Sequence, residues 1–301
     1  MTTRSSTQQG LIYGFAAYLI WGLFPLYWAL LQPASALEIL AHRIAWSVLV
    51  MGFLLVATRR IPQFKAIWAD RRTSMILAVA AALVAVNWGT YIWGVNNGRV
   101  VETALGYFIN PLVNVLMGVF LLGERLRRVQ WLAVGVAFVA VLILTWDYGH
   151  PPWVALVLAF SFALYGLAKK KAAVEAIESL TFETSLLAPL AWGYLLYLGL
   201  SAQMSFGAHG STHAVLLAST GLATAIPLLL FGAAAIRVPL SSLGLLQYLA
   251  PVIQFLIGLV TFHEPMSHLR WIGFIVLWVA LVIFTIEALN HHRRMLTAVV
   301  A

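Results

Sequence analysis

Cysteine is absent from the 301 residues, which excludes disulfides, thiolate nucleophiles and cysteine-based metal sites. Charge is scarce, since Asp, Glu, Lys and Arg make up 9% of the chain, too little to cover a water-soluble domain. The sequence contains no HExxH, no GxSxG and no paired acids inside its apolar runs, so an intramembrane hydrolase would lack its reacting groups. The eight His do not supply a metal site: His291 and His292 sit in a basic tail, and His209 and His213 in a polar loop without acidic partners. No metal and no cofactor is expected. The connections between apolar runs are too short to fold a signalling domain.

What remains is hydrophobic: 62% of residues are apolar, with 22 Gly and 12 Trp. Such a composition belongs to a polytopic membrane protein. Ten spans are expected near 10–31, 35–57, 73–95, 101–122, 128–146, 151–167, 180–200, 213–235, 240–262 and 268–288. The amino-terminal stretch runs into the first span without a small-residue cleavage signature and reads as a retained helix. Placing both termini in the cytoplasm gathers there Arg4, Arg59, Arg60, Lys65, Arg71, Arg72, Arg125, Arg127, Arg128, Lys169, Lys170, Lys171, Arg237, Arg293 and Arg294. Only Arg43, Arg99 and Arg270 fall elsewhere, and the net charge of +8 is therefore a topology signal. It is no evidence for nucleic acid.

The chain also repeats itself. Pro111, Glu124 and Trp131 return as Pro251, Glu264 and Trp271, and Gly118 returns as Gly258, all at a shift of 140. Upstream the shift is 138: Arg99 matches Arg237, and Leu105-Gly106 matches Leu243-Gly244, so the second copy carries two extra residues just before Pro251. The expected division is a first five-helix repeat over 1–147, a second over 148–290 and a basic cytoplasmic tail over 291–301. Five crossings per copy is an odd number, so the copies are inverted, as in secondary transporters that alternate access around a central cavity. The alternative is a duplicated scaffold without transport, an intramembrane enzyme or a solute sensor.

The run Gly106-Tyr107-Phe108-Ile109-Asn110-Pro111-Leu112 resembles the drug/metabolite transporter superfamily, as do Leu122-Gly123-Glu124-Arg125, Gln130-Trp131-Leu132-Ala133, Ala159-Phe160-Ser161-Phe162 and Glu38-Ile39-Leu40-Ala41-His42-Arg43. Within it the combination is similar to the EamA-type permeases, the branch of the bacterial chloramphenicol-sensitivity protein. The resemblance covers nearly the full length. It implies an all-α, ten-helix permease of the bacterial inner membrane, monomer or homodimer, with inverted five-helix repeats around a cavity, moving a small metabolite, amino-acid-like compound or drug. It names no solute.

Polar groups at membrane depth mark the pathway, because lipid does not tolerate them. His42 and Arg43 lie about two turns into the second span. A charged Arg there costs about 2.5–3.5 kcal/mol on insertion scales, so it requires either an anionic ligand or a structural partner, for which Glu38 and Glu102 are the nearest carboxylates. His42 is the group near mid-membrane able to change charge close to neutral pH, and it is either a proton-coupling site or a buried neutral ring. No Asp or Glu is expected deep in any span. Asn87 and Thr90, then Asn110 and Asn114 on one helix face, then Gln247 and Gln254 form a second polar set; Asn114 and Gln254 are repeat equivalents. Pro111 and Pro251 should kink their helices and free a carbonyl toward the cavity. Trp21, Trp88, Tyr91, Tyr107 and Tyr248 are candidate aromatic walls, while Trp68, Trp146 and Trp153 read as interface anchors. Gly14, Gly22, Gly118, 78–85 and 232–235 are small-residue packing surfaces. Glu124 and Glu264 are expected to cap the start of the helix that follows each of them. The expected substrate site is thus His42, Arg43, Asn87, Trp88, Tyr91, Tyr107, Asn110, Asn114, Gln247, Tyr248 and Gln254, in contact with a small-molecule substrate within the bilayer.

Overall fold

A computed structural model describes residues 6–123, 126–238 and 240–300, with the side chains at 122, 240, 241 and 291–300 outside that description. Arg4, Glu124 and Arg125, and the side chains of His291, His292, Arg293 and Arg294, therefore lie outside the described residues. The described chain is all helix: α1 (Ser6–Ala29), α2 (Ala36–Ala57), α3 (Ile61–Ala69), α4 (Arg71–Asn96), α5 (Val100–Leu122), α6 (Arg128–Tyr148), α7 (Trp153–Ala172), α8 (Ala176–Leu200), α9 (Gly210–Ala235), α10 (Leu240–Leu246), α11 (Leu249–Val260) and α12 (His268–Val300).

Local chemistry sets several boundaries. The Ser35 hydroxyl accepts from Glu38 N at the start of α2, and the Asp70 carboxylate accepts from Arg72 N and Thr73 N at the start of α4, each satisfying donors that the helix leaves free. Gly123 (φ 68°) and Gly149 (φ 71°) end α5 and α6 in the left-handed region that glycine enters without strain.

By length and composition, nine stretches among the described residues are able to cross a membrane, one of them the joined α10 and α11. The remaining expected span, 180–200, seventh in chain order, is α8, which is 25 residues long but is not among the nine. It begins earlier than expected, and its first turns carry Glu178, Ser179, Thr181, Glu183 and Thr184, all buried against neighbouring helices. Helix α3 fills the basic connection after α2, and α12 continues through the stretch expected to be a tail.

The two prolines behave differently. Helix α5 runs unbroken through Pro111. At Pro251 the helix divides, α10 ending at Leu246 and α11 beginning at Leu249. Proline lacks the N–H that would bond the carbonyl of Gln247, and Gln247 and Tyr248 fall where the second repeat carries its two extra residues. A two-residue insertion rotates every later side chain by about 200° on a 3.6-residue helix; a break absorbs that rotation and restores the register of α11 with α5.

Packing runs between the repeats more than within them. Helix α1 lies on α9 and α11, and α7, its counterpart, lies on α4 and α5, the counterparts of α9 and α11. Helices α2, α5 and α6 each pack on their own counterparts α8, α11 and α12. Exchanging the two inverted five-helix repeats leaves this pattern unchanged. The contacts are close: a Cβ on Gly106 would stand 2.8 Å from the Ala155 carbonyl oxygen of α7, and one on Gly221 2.6 Å from the Trp46 backbone of α2. Small residues allow this approach where lipid supplies no hydrophobic drive.

Candidate functional site

Arg43 lies seven residues into α2 and is 4% exposed. Four helices enclose it. From α4 the Trp88 ring comes to 3.9 Å of the guanidinium carbon, and from α1 Trp28 to 5.0 Å and Phe24 to 5.8 Å. From α9 the Thr224 hydroxyl accepts from Arg43 Nε at 3.0 Å. Cation–π contacts of this kind contribute about 2 kcal/mol or more once desolvated, offsetting much of the insertion cost. Both carboxylates considered as counter-charges are occupied elsewhere. Glu38 accepts from Ser205 N at 2.6 Å, and Glu102 accepts from Val154 N at 3.0 Å and from Arg99 at 3.3 Å. No carboxylate pairs with Arg43 among the described residues. Of the five guanidinium N–H groups, the one on Nε alone finds a protein acceptor there.

Next to Arg43 lies a polar network from α4, α5 and α7. Asn87 Nδ2 donates to the Leu158 carbonyl at 3.1 Å and to Ser161 Oγ at 3.0 Å, while Tyr107 donates to Asn87 Oδ1 at 3.3 Å. Tyr91 meets Tyr107 edge to face at 5.6 Å and its buried hydroxyl has no protein partner among the described residues. Arg43, Asn87, Trp88, Tyr91 and Tyr107 thus belong to one buried cluster.

The other expected residues stand apart from it. His42 points about 100° away from Arg43 around α2, stacked on Phe206 at 5.0 Å, and neither ring nitrogen has a protein partner among the described residues. Asn110 donates to the Ala159 carbonyl at 3.0 Å and accepts from Asn114, which is itself exposed. Gln254 donates to the Trp21 carbonyl at 3.0 Å, and its buried Oε1 has no protein partner; the repeat equivalents Asn114 and Gln254 are each bonded elsewhere. Gln247 sits half-buried at the break between α10 and α11. Tyr248 lines an apolar groove of about 600 Å³ formed by α5, α11 and α12 with Phe108, Phe255, Trp271, Trp278 and Thr285.

Sequence reasoning missed Trp28, Phe24, Thr224 and Ser161. The first two looked like ordinary span residues, and nothing local connects α9 to α2. Two expectations need correction. A carboxylate does lie inside a span: Glu183, 0% exposed and seven residues into α8, where a late estimate of the helix start had put it in the first turn. Glu264 does act as a cap, but not for the following helix. It accepts from Val100 N and, at 3.0 Å, from Val101 N, the start of α5 in the other repeat. Burial holds its carboxyl above the ordinary range, and those backbone hydrogen bonds pull the other way.

The profile of the EamA-like transporter family matches residues 8–146. Protein RarD of Streptomyces exfoliatus is 57% identical over 98% of this chain and 93% of its own length. The uncharacterized transporter YojE of Bacillus subtilis is 44% identical over 96% and 98%, and the chloramphenicol-sensitive protein RarD of Pseudomonas aeruginosa is 32% identical over 91% and 93%. A crystal structure aligns with a TM-score of 0.61 over 95% of this chain and 99% of that one at 19% identity, a likeness of fold alone.

Proposed function

The chain belongs to the EamA-like transporter family, and from that membership we propose that it is an inner-membrane permease with both termini cytoplasmic, carrying a small anionic or carboxylate-bearing solute by alternating access. The observation that supports this most directly is Arg43: a buried guanidinium held by Trp88, Trp28 and Thr224, with no carboxylate paired to it and its terminal N–H groups unclaimed among the described residues. A planar fork of donors suits a carboxylate, which it binds through two parallel hydrogen bonds. Asn87, Tyr91 and Tyr107 form the adjoining wall and supply further polar contacts and an apolar face. His42, Asn110, Asn114, Gln247 and Gln254 stand apart from this wall, and we assign the binding of the solute to Arg43, Asn87, Tyr91 and Tyr107.

The test is a thermal-shift screen of purified protein against metabolites and antibiotics, in parallel with Arg43→Gln. A ligand at a hundredfold excess over its Kd stabilises the folded state by about 2.7 kcal/mol. Hits confined to carboxylates, lost in the variant and carried into liposomes by the wild type are the expected result. Neutral ligands bound equally by both proteins would overturn the role of Arg43.

A further inference from the structure

The internal repeat ties Arg43 to a residue outside that site. Aligning the first residues of the counterpart helices α2 and α8, Ala36 and Ala176, sets Glu38 and Leu40 against Glu178 and Leu180, and sets Arg43 against Glu183. The same depth in two inverted helices therefore holds a buried cation near one face and a buried carboxylate near the other. We propose that Glu183 is the proton site of the transporter, with Lys169 as a counter-ion that leaves when the proton binds; the coupling role rests on the permease reading, and the site itself does not.

Glu183 is enclosed on all sides and receives two donors: Lys169 Nζ at 2.7 Å on Oε1 and the Tyr165 hydroxyl at 3.1 Å on Oε2. A charged carboxylate so placed costs several kcal/mol to desolvate and is sustained by its cation. That cation is removable. The Lys169 side chain is 23% exposed, and its flexible stem lets the ammonium withdraw to water without disturbing the backbone. A buried carboxylate left alone does not stay ionised; it binds a proton. The exchange balances, because one positive charge leaves with Lys169, still carrying its three protons, and one enters from water on Oε1, while Tyr165 keeps its bond to Oε2.

Of the neighbouring acids, Glu178 pairs with Arg60 at 2.8 Å near the start of α8, and Glu38 is held by the Ser205 backbone. Arg43 cannot lose its proton, so of the two repeat-related positions only Glu183 titrates. The other groups on helices packed against α8 do not compete. Lys65 of α3, Arg71 and Arg72 of α4, and Lys170 and Lys171 beside Lys169 are exposed. Glu38, His42 and Arg43 of α2, Tyr91 of α4 and His213 of α9 lie toward the opposite face. Ser179 accepts from Lys169 and holds the ammonium in its inward position.

Infrared pH titration of the full chain in lipid vesicles tests this. The protonated carboxyl band that grows as pH falls should lose one component in Glu183→Gln and keep that component in Glu264→Gln. In Lys169→Met, where no cation opposes protonation, its midpoint should rise by about one pH unit or more. A Glu183 that stays ionised until the protein unfolds, or a midpoint unmoved in Lys169→Met, overturns the proposal; the lysine variant alone decides it should Glu183→Gln fail to fold. A titrating Glu183 in a protein that moves no solute would keep the proton site and remove the permease, while carboxylate flux without a titrating Glu183 would do the reverse.

Discussion

Removing the Glu264 carboxylate should destabilise the whole protein, because the helix it caps belongs to the other repeat. The residue preceding α5, Arg99, supplies no side-chain cap, and the first two donors of α5, Val100 N and Val101 N, belong to residues that are 0% and 1% exposed. Glu264→Ala leaves both N–H groups without their protein acceptor. A buried unsatisfied donor costs about 1–3 kcal/mol, so two cost about 2–5 kcal/mol once the partial exposure of the carboxylate is discounted. Glu264→Gln keeps one acceptor oxygen and should lose about half as much. The assay is denaturant unfolding of both variants in micelles, with amide hydrogen exchange followed at Val100 and Val101. An alanine variant within about 0.5 kcal/mol of wild type, or one whose Val100 and Val101 amides exchange no faster, would refute the cap.

Three further outcomes are expected. Because burial raises the folded-state pKa of Glu264 above its unfolded value, its contribution is complete below the unfolded value and falls as pH rises through the folded one; the stability gap between wild type and Glu264→Gln should narrow with rising pH, and a widening gap would contradict the sign. Gly106→Ala must push α5 off the α7 backbone at 2.8 Å and should cost about 1–3 kcal/mol, whereas Gly135→Ala in α6 meets nothing within 4 Å and should gain about 0.5–1 kcal/mol; equal effects in unfolding experiments would disprove the close contact. Asn87→Leu strips hydrogen bonds from Ser161, the Leu158 carbonyl and Tyr107 at once and should cost about 2–4 kcal/mol, measured by thermal unfolding and checked against Asn97→Leu at an exposed helix end.

The spans and the repeat were legible because both are written in one dimension: apolar runs of bilayer length, and Pro, Glu and Trp returning at one shift. Helix α8 was the hardest to read, since a helix whose first turns face other helices can carry Glu178, Thr181 and Glu183 without meeting lipid, and hydropathy alone does not distinguish burial in protein from exposure to water. The same blind spot hid Glu183 and left Lys169 counted as a topology charge. The pocket around Arg43 depended on α1, α4 and α9 arriving from three distant parts of the chain, so Asn87, Trp88, Tyr91 and Tyr107 could be named as polar or aromatic at depth, but Thr224 and Trp28 gave no local sign. The amides beside the prolines shared a spacing and not a pocket, because the insertion at Gln247 and Tyr248 breaks the second helix and leaves the first intact.

One inversion explains how the carboxylates are held. Lys and Arg gather on one face, and there the acids find cations: Glu178 and Glu175 with Arg60, Glu183 with Lys169, Glu287 with Arg127. The opposite face retains only Arg99 and Arg270. Those two pair with Glu102 and Asp147, and three acids of this face also take backbone donors across the repeat boundary, Glu264 at the start of α5, Glu102 at the start of α7 and Glu38 at Ser205. Glu38 and Glu178 occupy equivalent positions and differ in which face they reach, so for this pair the partner follows the charge of the face and not the repeat. Hydrogen bonds to backbone donors are fixed by the helices that carry them, whereas a lysine or arginine can let go of its acid by rotation of its own side chain. On those terms the basic face should open with less disruption of backbone than the other. Cross-linking engineered cysteine pairs across each face checks this: pairs on the face of Glu264 and Glu38 should form readily and stay formed in membranes, and pairs on the face of Glu183 should form more slowly and vary with pH.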